Sequence, residues 1–349
     1  MNLSATFRPR HRLLGFPGIA GTLLLMIPVS ALAGRAYVSN EDGQSVSVID
    51  TAKGDVTDTV NVGKRPRGLK LSHDGKRLYV AVSGLPKCPP SQSDEECAKL
   101  KHDFAADGIA VIDTTTLKLT GLLKAGSDPE QFDLSKDGQR LFISNEDTGT
   151  VSVLDVKTGA LVGTIPVGSE PEGVRVAPNG KWVLATSESA NSIAVIDGGT
   201  LKLLRSVPVG KRPRDTAITP DSSTAYVSGE ADASLYRVTL QGEAPATRLM
   251  QFRTEDRPMG VVLDSHRNRV YVSTGRGGTV AVVDLQGAKL LEEIPVGARP
   301  WGIALSHDGR RLYTANGPSN DVSVIDTGTL KVTRKIKVGS SPWGIVLSP

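Results

Sequence analysis

A proline that follows Val-Gly, or a variant of it, recurs at positions 66, 129, 171, 213, 258, 300 and 342. The steps are 63, 42, 42, 45, 42 and 42 residues, the first being one and a half periods. A second marker keeps the same register: a Val/Ile-rich run ends in Asp at 50, 113, 155, 197, 284 and 326, with Thr239 in the remaining slot. A fixed period of this size implies an array of small units, each burying its faces against its neighbours. Within one unit, four strands can be read: EGVRVA (172–177), KWVLATS (181–187), SIAVID (192–197) and LKLLRSVPV (201–209). Runs of β-branched residues at this length are strand-like, and the HDG, KDG and PNG words between them are turn chemistry. Only 4% of the chain is aromatic, so the core must be built from Val, Ile, Leu and Ala.

Four-stranded units of this length predict an all-β fold, a seven-bladed β-propeller with four antiparallel strands per blade. Seven first strands and seven second strands can be counted, yet the ring opens on a second strand, GRAYVSN (34–40), and closes on a first strand. The C-terminal strand (343–348) is therefore expected to pair with the N-terminal three strands and complete one blade, leaving no open sheet edge. Residues 34–349 form the single propeller domain. A 21-residue insertion (84–104) separates strands two and three of one blade.

Residues 1–33 have the pattern of a cleaved signal peptide: a basic start with Arg8, Arg10 and Arg12, an apolar stretch, and Ala-Leu-Ala at 31–33. The competing reading is an uncleaved anchor, for which Pro17 and Pro28 interrupt the apolar run. Without the leader, 38 Lys/Arg face 37 Asp/Glu, so no basic stripe is left to argue for nucleic acid. The expected location is the periplasm. There Cys88 and Cys97, both in the insertion, can form a disulfide that contributes about 2–3 kcal/mol locally; a two-thiol metal site is the weaker alternative.

The words YVSN, LYVAV, VSVID, SHDG, IPVG and PWG resemble those of the YVTN-type seven-bladed propellers across residues 35–349. The loop words PRG, PEQ, PEG, PRD and PWG, with SNED and TANGPSNDVSVID, are similar to a narrower group. That group is the periplasmic propellers associated with PQQ-dependent alcohol catabolism. The resemblance implies a non-enzymatic binding or scaffold protein that holds a small aromatic or acidic ligand, or docks a dehydrogenase, cytochrome or transporter component. A lactonase-like hydrolase is the alternative, with Glu130 or Glu172 as general base and Arg67 or Arg214 as charge clamp. A surface or adhesion module is the third.

In such a ring the first strands line the axis, and the loops entering them share one face with the loops between strands two and three. The residue after each marker proline is Arg67, Glu130, Glu172, Arg214, Met259, Trp301 or Trp343, a charged arc followed by an apolar, aromatic one. Glu41, Glu146, Glu188 and Glu230 join from the strand two–three loops, with Arg276 and Asn316 on the other side. These thirteen positions are the expected ligand or partner face; the structural alternative is that Arg and Glu pair between blades while the Trp rings plug the channel. His73, His266 and His307 fall in far-face turns, His102 in the insertion and His11 in the leader, which argues against haem d1 and His-dependent lyase chemistry. No Cys-x-x-Cys-His for c-type haem is present. No catalytic residue, metal or cofactor is assigned, and a closed ring is expected to act as a monomer.

Overall fold

The computed structural model describes residues 1–2, 34–88, 92–97 and 99–348. The chain divides into two units, residues 1–32 and 33–349. The expected leader, apart from Met1 and Asn2, lies outside the described residues. The second unit consists of seven four-stranded antiparallel sheets. Blade 1 joins Pro342–Leu347 to Arg35–Asn40, Ser45–Asp50 and Asp55–Asn61, and blades 2 to 7 follow in chain order, their first strands beginning at Leu69, Pro129, Pro171, Pro213, Pro258 and Pro300. Its closing register pairs Ala36 with Leu347, Tyr37 with Val346 and Val38 with Ile345, as the strand arithmetic predicted. The Ser348 amide adds a hydrogen bond to the Arg35 carbonyl (2.7 Å).

Burial follows the strand position. Second and third strands are buried along most of their length, as in Arg77–Val82 and Ser192–Asp197, while fourth strands such as Lys331–Lys337 are mostly exposed. Residues alternate between faces at period two, so Val80 packs toward blade 1 and Ala81 toward blade 3. Seven separate apolar clusters result, one at each junction between neighbouring blades. The cluster between blades 7 and 1 contains Tyr313 and Val322 with Val38, Ile49 and Ile345, so the last junction is packed like the other six.

The far-face turns carry the expected Asx geometry. Asp113 accepts the amides of Thr115 (3.0 Å) and Thr116 (2.7 Å), and Asp197 and Asp326 do the same for their turns. These backbone hydrogen bonds hold the carboxyls of Asp113, Asp197 and Asp326 below the ordinary value of 3.8.

The working face is built by a repeated device. The residue before each marker proline has positive φ: Arg65, Asp128, Glu170, Arg212, Arg257, Arg299 and Ser341 lie between 41° and 56°. Proline fixes the next φ, and the kinked carbonyl then accepts the first amide of the strand two–three loop. Ser341 receives Glu41 (2.8 Å), Asp128 receives Glu146 (3.2 Å), Glu170 receives Glu188 (2.8 Å) and Arg212 receives Glu230 (2.9 Å). Beyond the proline the pairing register shifts, as between Pro213 and Thr216; this irregularity turns the residue after proline toward the axis.

The blade 2–3 junction offers a direct test of the packing. Phe132 is fully buried among Tyr79, Leu141, Ile143 and Leu154. Phe132→Ala is expected to cost about 3–5 kcal/mol, measured as a reduced denaturant midpoint with an unchanged slope.

Candidate functional site at the loop-face mouth

A cavity of about 200 Å³ opens on the loop face at the axis. It is lined by Arg67, Glu130, Glu172, Arg214, Met259, Trp301 and Trp343, so all seven expected axial residues meet there, with Glu41, Glu230 and Arg276. Below lies the axial channel, about 490 Å³, bounded by first-strand residues including Lys70, Gln131, Arg175 and Asp215. Glu172, Arg214, Met259, Trp301 and Trp343 line both spaces and form the collar between them.

On the ionic arc every carboxylate has a guanidinium or ammonium partner. Arg67, only 1% exposed, is held by Asp128, Glu130 and the Pro129 carbonyl (3.0 Å), with Glu146 at 3.7 Å. Arg214 binds Glu172, Glu188 (2.6 Å) and Glu230 (2.7 Å). Glu41 takes Arg65 (3.2 Å) and Lys87 of the insertion (2.9 Å). Burial works against the charged form of Glu172, but the Arg214 guanidinium, a hydrogen bond from Glu188 and the Arg67 charge together outweigh it and leave the carboxyl below its ordinary range. Glu146 and Glu188 go the other way. Burial, together with the neighbouring Glu172 carboxylate, pushes each up to about 8 against the pull of Arg67 and Arg214 respectively.

The aromatic arc is different. Trp301 and Trp343 meet edge to face, ring centres 5.8 Å apart, and the Arg299 guanidinium lies 5.2 Å from the Trp301 ring centre. Arg257 has only a distant carboxylate, Glu230 at 3.9 Å. Among the described residues, Arg276 and Arg299 have no ion-pair partner within 4.0 Å. Seven basic side chains line the cavity against four acidic ones.

Three placements depart from the sequence reading. Asn316 is fully buried inside its hairpin, where its amide donates to Asp321 (2.7 Å) and Ser323 (3.0 Å), so it shapes the loop rather than the cavity. Glu146 and Glu188 reach the mouth through Arg67 and Arg214 and are not among the lining residues. Sequence reasoning missed Arg65, Lys87, Arg257 and Arg299, which do line it. Three of these four directly precede marker prolines, and the recurrent Arg-Pro pair was the available signal.

His102 belongs to this face as well. Its Nε2 lies 2.8 Å from Asp107 and its Nδ1 3.4 Å from Asp147, while its ring stacks on Phe104. With Lys64–Asp103 (2.9 Å) and Arg65 donating to the Leu85 carbonyl (2.9 Å), it fastens the insertion to blades 2 and 3. Cys88 is not a free thiol, and the Cys97 side chain lies outside the described residues. Asp128, Glu130 and Glu146 are close enough to share a cation, but Arg67 already occupies the centre of that group.

Two outcomes follow from this electrostatic arrangement. Arg67→Gln leaves buried carboxylates without a counter-charge and is expected to cost about 3–5 kcal/mol, whereas Arg276→Gln should stay within about 0.5 kcal/mol; paired thermal melts measure both. Native Glu146 and Glu188 keep a proton up to about pH 8, whereas their ordinary value is 4.5. The native state therefore binds more protons in that window, and stability falls as pH rises through it. The depressed turn aspartates act in the opposite sense, losing their contribution as pH falls below their ordinary 3.8. Melting temperature should peak near about pH 5, and Glu146→Gln should flatten the decline between about pH 5 and 8.

Comparison with known proteins agrees on architecture. One curated relative, Antigen Lp49 of Leptospira interrogans, is 32% identical over 111 residues, which is 32% of this chain and 23% of that protein. The chain therefore matches less than a quarter of that relative's length. Hydrazine synthase of Kuenenia stuttgartiensis superposes with a TM-score of 0.72 at 21% identity, covering 83% of this chain and 92% of that one. A candidate 6-phosphogluconolactonase from Bacteroides fragilis also gives 0.72, at 17% identity, covering 92% and 100%. At these identities the structural likeness speaks for the fold alone. The family model for the YNCE-like beta-propeller matches residues 105–225 and 238–348, and the chain belongs to that family.

Proposed function

We propose that this propeller is a non-enzymatic binding protein whose loop-face mouth holds a small ligand or the side chain of a docking partner. The observation that carries the reading is the state of the two carboxylates best placed to act as a base. Glu130 and Glu172 are each clamped by a guanidinium, from Arg67 and Arg214, which occupies the carboxylate oxygen that a base would use. For Glu172 the neighbouring charges also lower the proton affinity, which makes it a weak general base. Ion pairs from Arg67 and Arg214 brace the surrounding frame, and a braced rim suits recognition.

The physiological setting belongs to the same proposal. The loop words resemble periplasmic propellers associated with PQQ-dependent alcohol catabolism, so the proposed role is to serve that oxidation. It would do so by holding a pathway molecule or docking a dehydrogenase, cytochrome or transporter component. Export with cleavage before Gly34, and a Cys88–Cys97 disulfide in the insertion, are parts of this reading. One observation favours the hydrolase alternative. Glu146 and Glu188, with pKa values near 8, are carboxylic acids at neutral pH beside Arg67 and Arg214, as a proton donor to a leaving group would be.

A lactone-hydrolysis assay with Glu188→Gln and Glu172→Gln as controls separates the two. The binding reading expects no turnover above the variants; saturable turnover lost in either variant would replace it with the hydrolase. Intact-mass and non-reducing peptide analysis of the exported protein should show Gly34 first and Cys88 linked to Cys97. A retained Met1, or two free thiols, would remove those parts of the proposal.

A further inference from the structure

The charge at the mouth is not evenly matched. Arg65, Arg67, Lys87 and Arg214 have carboxylate partners on the ionic arc, so the excess of cations is confined to Arg257, Arg276 and Arg299. Those three stand beside Trp301, Trp343 and Met259, the apolar part of the same cavity. Guanidinium groups that are unpaired (Arg276 and Arg299) or only distantly paired (Arg257) next to half-buried aromatic rings leave two demands unmet within the molecule: an anion, and a flat apolar surface.

We infer that the mouth is a binding site for an aryl carboxylate, a carboxylate carried directly on a single aromatic ring. This deepens the proposed binding role and rests on it. The guanidinium fork matches the two oxygens of a carboxylate in one plane, and Arg276 is free to supply it. The ligand ring would lie against the Trp301–Trp343 pair with Met259 beneath. The perpendicular Trp rings offer one face and one edge, the arrangement that a third ring extends without disturbing the first two. A cavity of about 200 Å³ accepts one ring and its substituent rather than a polymer. The ionic arc limits the orientation, because Arg67 and Arg214 are already taken by Glu130, Glu172 and Glu230 and leave no free cation for a carboxylate turned the other way.

The probes are benzoate, benzyl alcohol, acetate and inorganic phosphate, titrated into the full propeller by calorimetry and tryptophan fluorescence. Benzoate should bind saturably and change the Trp emission. Benzyl alcohol, which lacks the charge, and acetate and phosphate, which lack the ring, should each bind about tenfold more weakly or worse. Arg276→Gln and Trp343→Leu should each weaken benzoate by a similar factor, with circular dichroism and melting temperature confirming that both variants fold. Equal affinity for benzoate and benzyl alcohol, equal affinity for benzoate and acetate or phosphate, no benzoate binding, or full binding by Arg276→Gln would each overturn the assignment. The lactone assay is read independently, so loss of this ligand class is distinguishable from loss of the binding role itself.

Discussion

A hydroxyl on the second strand ties five of the seven blades to the next around the inner ring. Ser39 accepts the Gly344 amide (2.9 Å) within blade 1 and donates to the Arg67 carbonyl of blade 2 (2.6 Å). Thr186 does the same from blade 4 to Arg214 (2.9 Å), and Ser273 from blade 6 to Trp301 (2.9 Å). Ser144 and Ser228 bridge their junctions to Glu172 and Met259. The carbonyl reached in each case belongs to an axial residue of the next blade, so at these five junctions one blade fixes its neighbour's contribution to the mouth; blades 2 and 7 have Ala81 and Ala315 at the equivalent position. The approach depends on glycine. A Cβ on Gly173 would lie 2.4 Å from the Arg214 carbonyl oxygen, and one on Gly302 would lie 2.6 Å from that of Trp343. The P-x-G word therefore combines a kink, a variable axial side chain and a residue small enough to let the next blade close in.

This explains why fold and site were legible to different degrees. The period, the strand words and the broken blade at the termini are written in residue types whose physics is local: β-branched runs, Asx turns and proline spacing. They sufficed for seven blades, their closure and the axial position of Arg67 through Trp343. What could not be read was which way the flanking side chains turn. Arg65, Arg257 and Arg299 line the cavity whereas Asp128, Glu170, Arg212 and Ser341, with the same positive φ before proline, do not, and Asn316 is withdrawn because its amide finds Asp321 and Ser323 across its own hairpin. The part played by His102 depends on two aspartates that are distant from each other in sequence, Asp107 and Asp147, and no spacing rule links them.

The two arcs of the mouth have different energetic characters. Burying Arg67 with Asp128 and Glu130 incurs a large desolvation cost that their mutual attraction only partly offsets. Such a cluster is better understood as a means of fixing geometry than as a source of stability. It makes one side of the rim stiff and electrically satisfied. The other side keeps cations and aromatic surface in contact with solvent, available for interactions that the molecule itself does not make. Recognition is concentrated where the internal accounts are left open.

Every placement at the rim assumes that the two terminal strands are one sheet. Amide hydrogen exchange on Gly344, Ile345 and Val346, followed by peptide-resolved mass spectrometry, tests this directly. A closed ring predicts protection comparable to that of the central strand Ser192–Asp197, because these amides lie in the strand paired with Arg35–Asn40 and Gly344 donates to Ser39. Exchange at the rate of an unstructured segment would contradict the closure, and with it the common face on which the mouth is built.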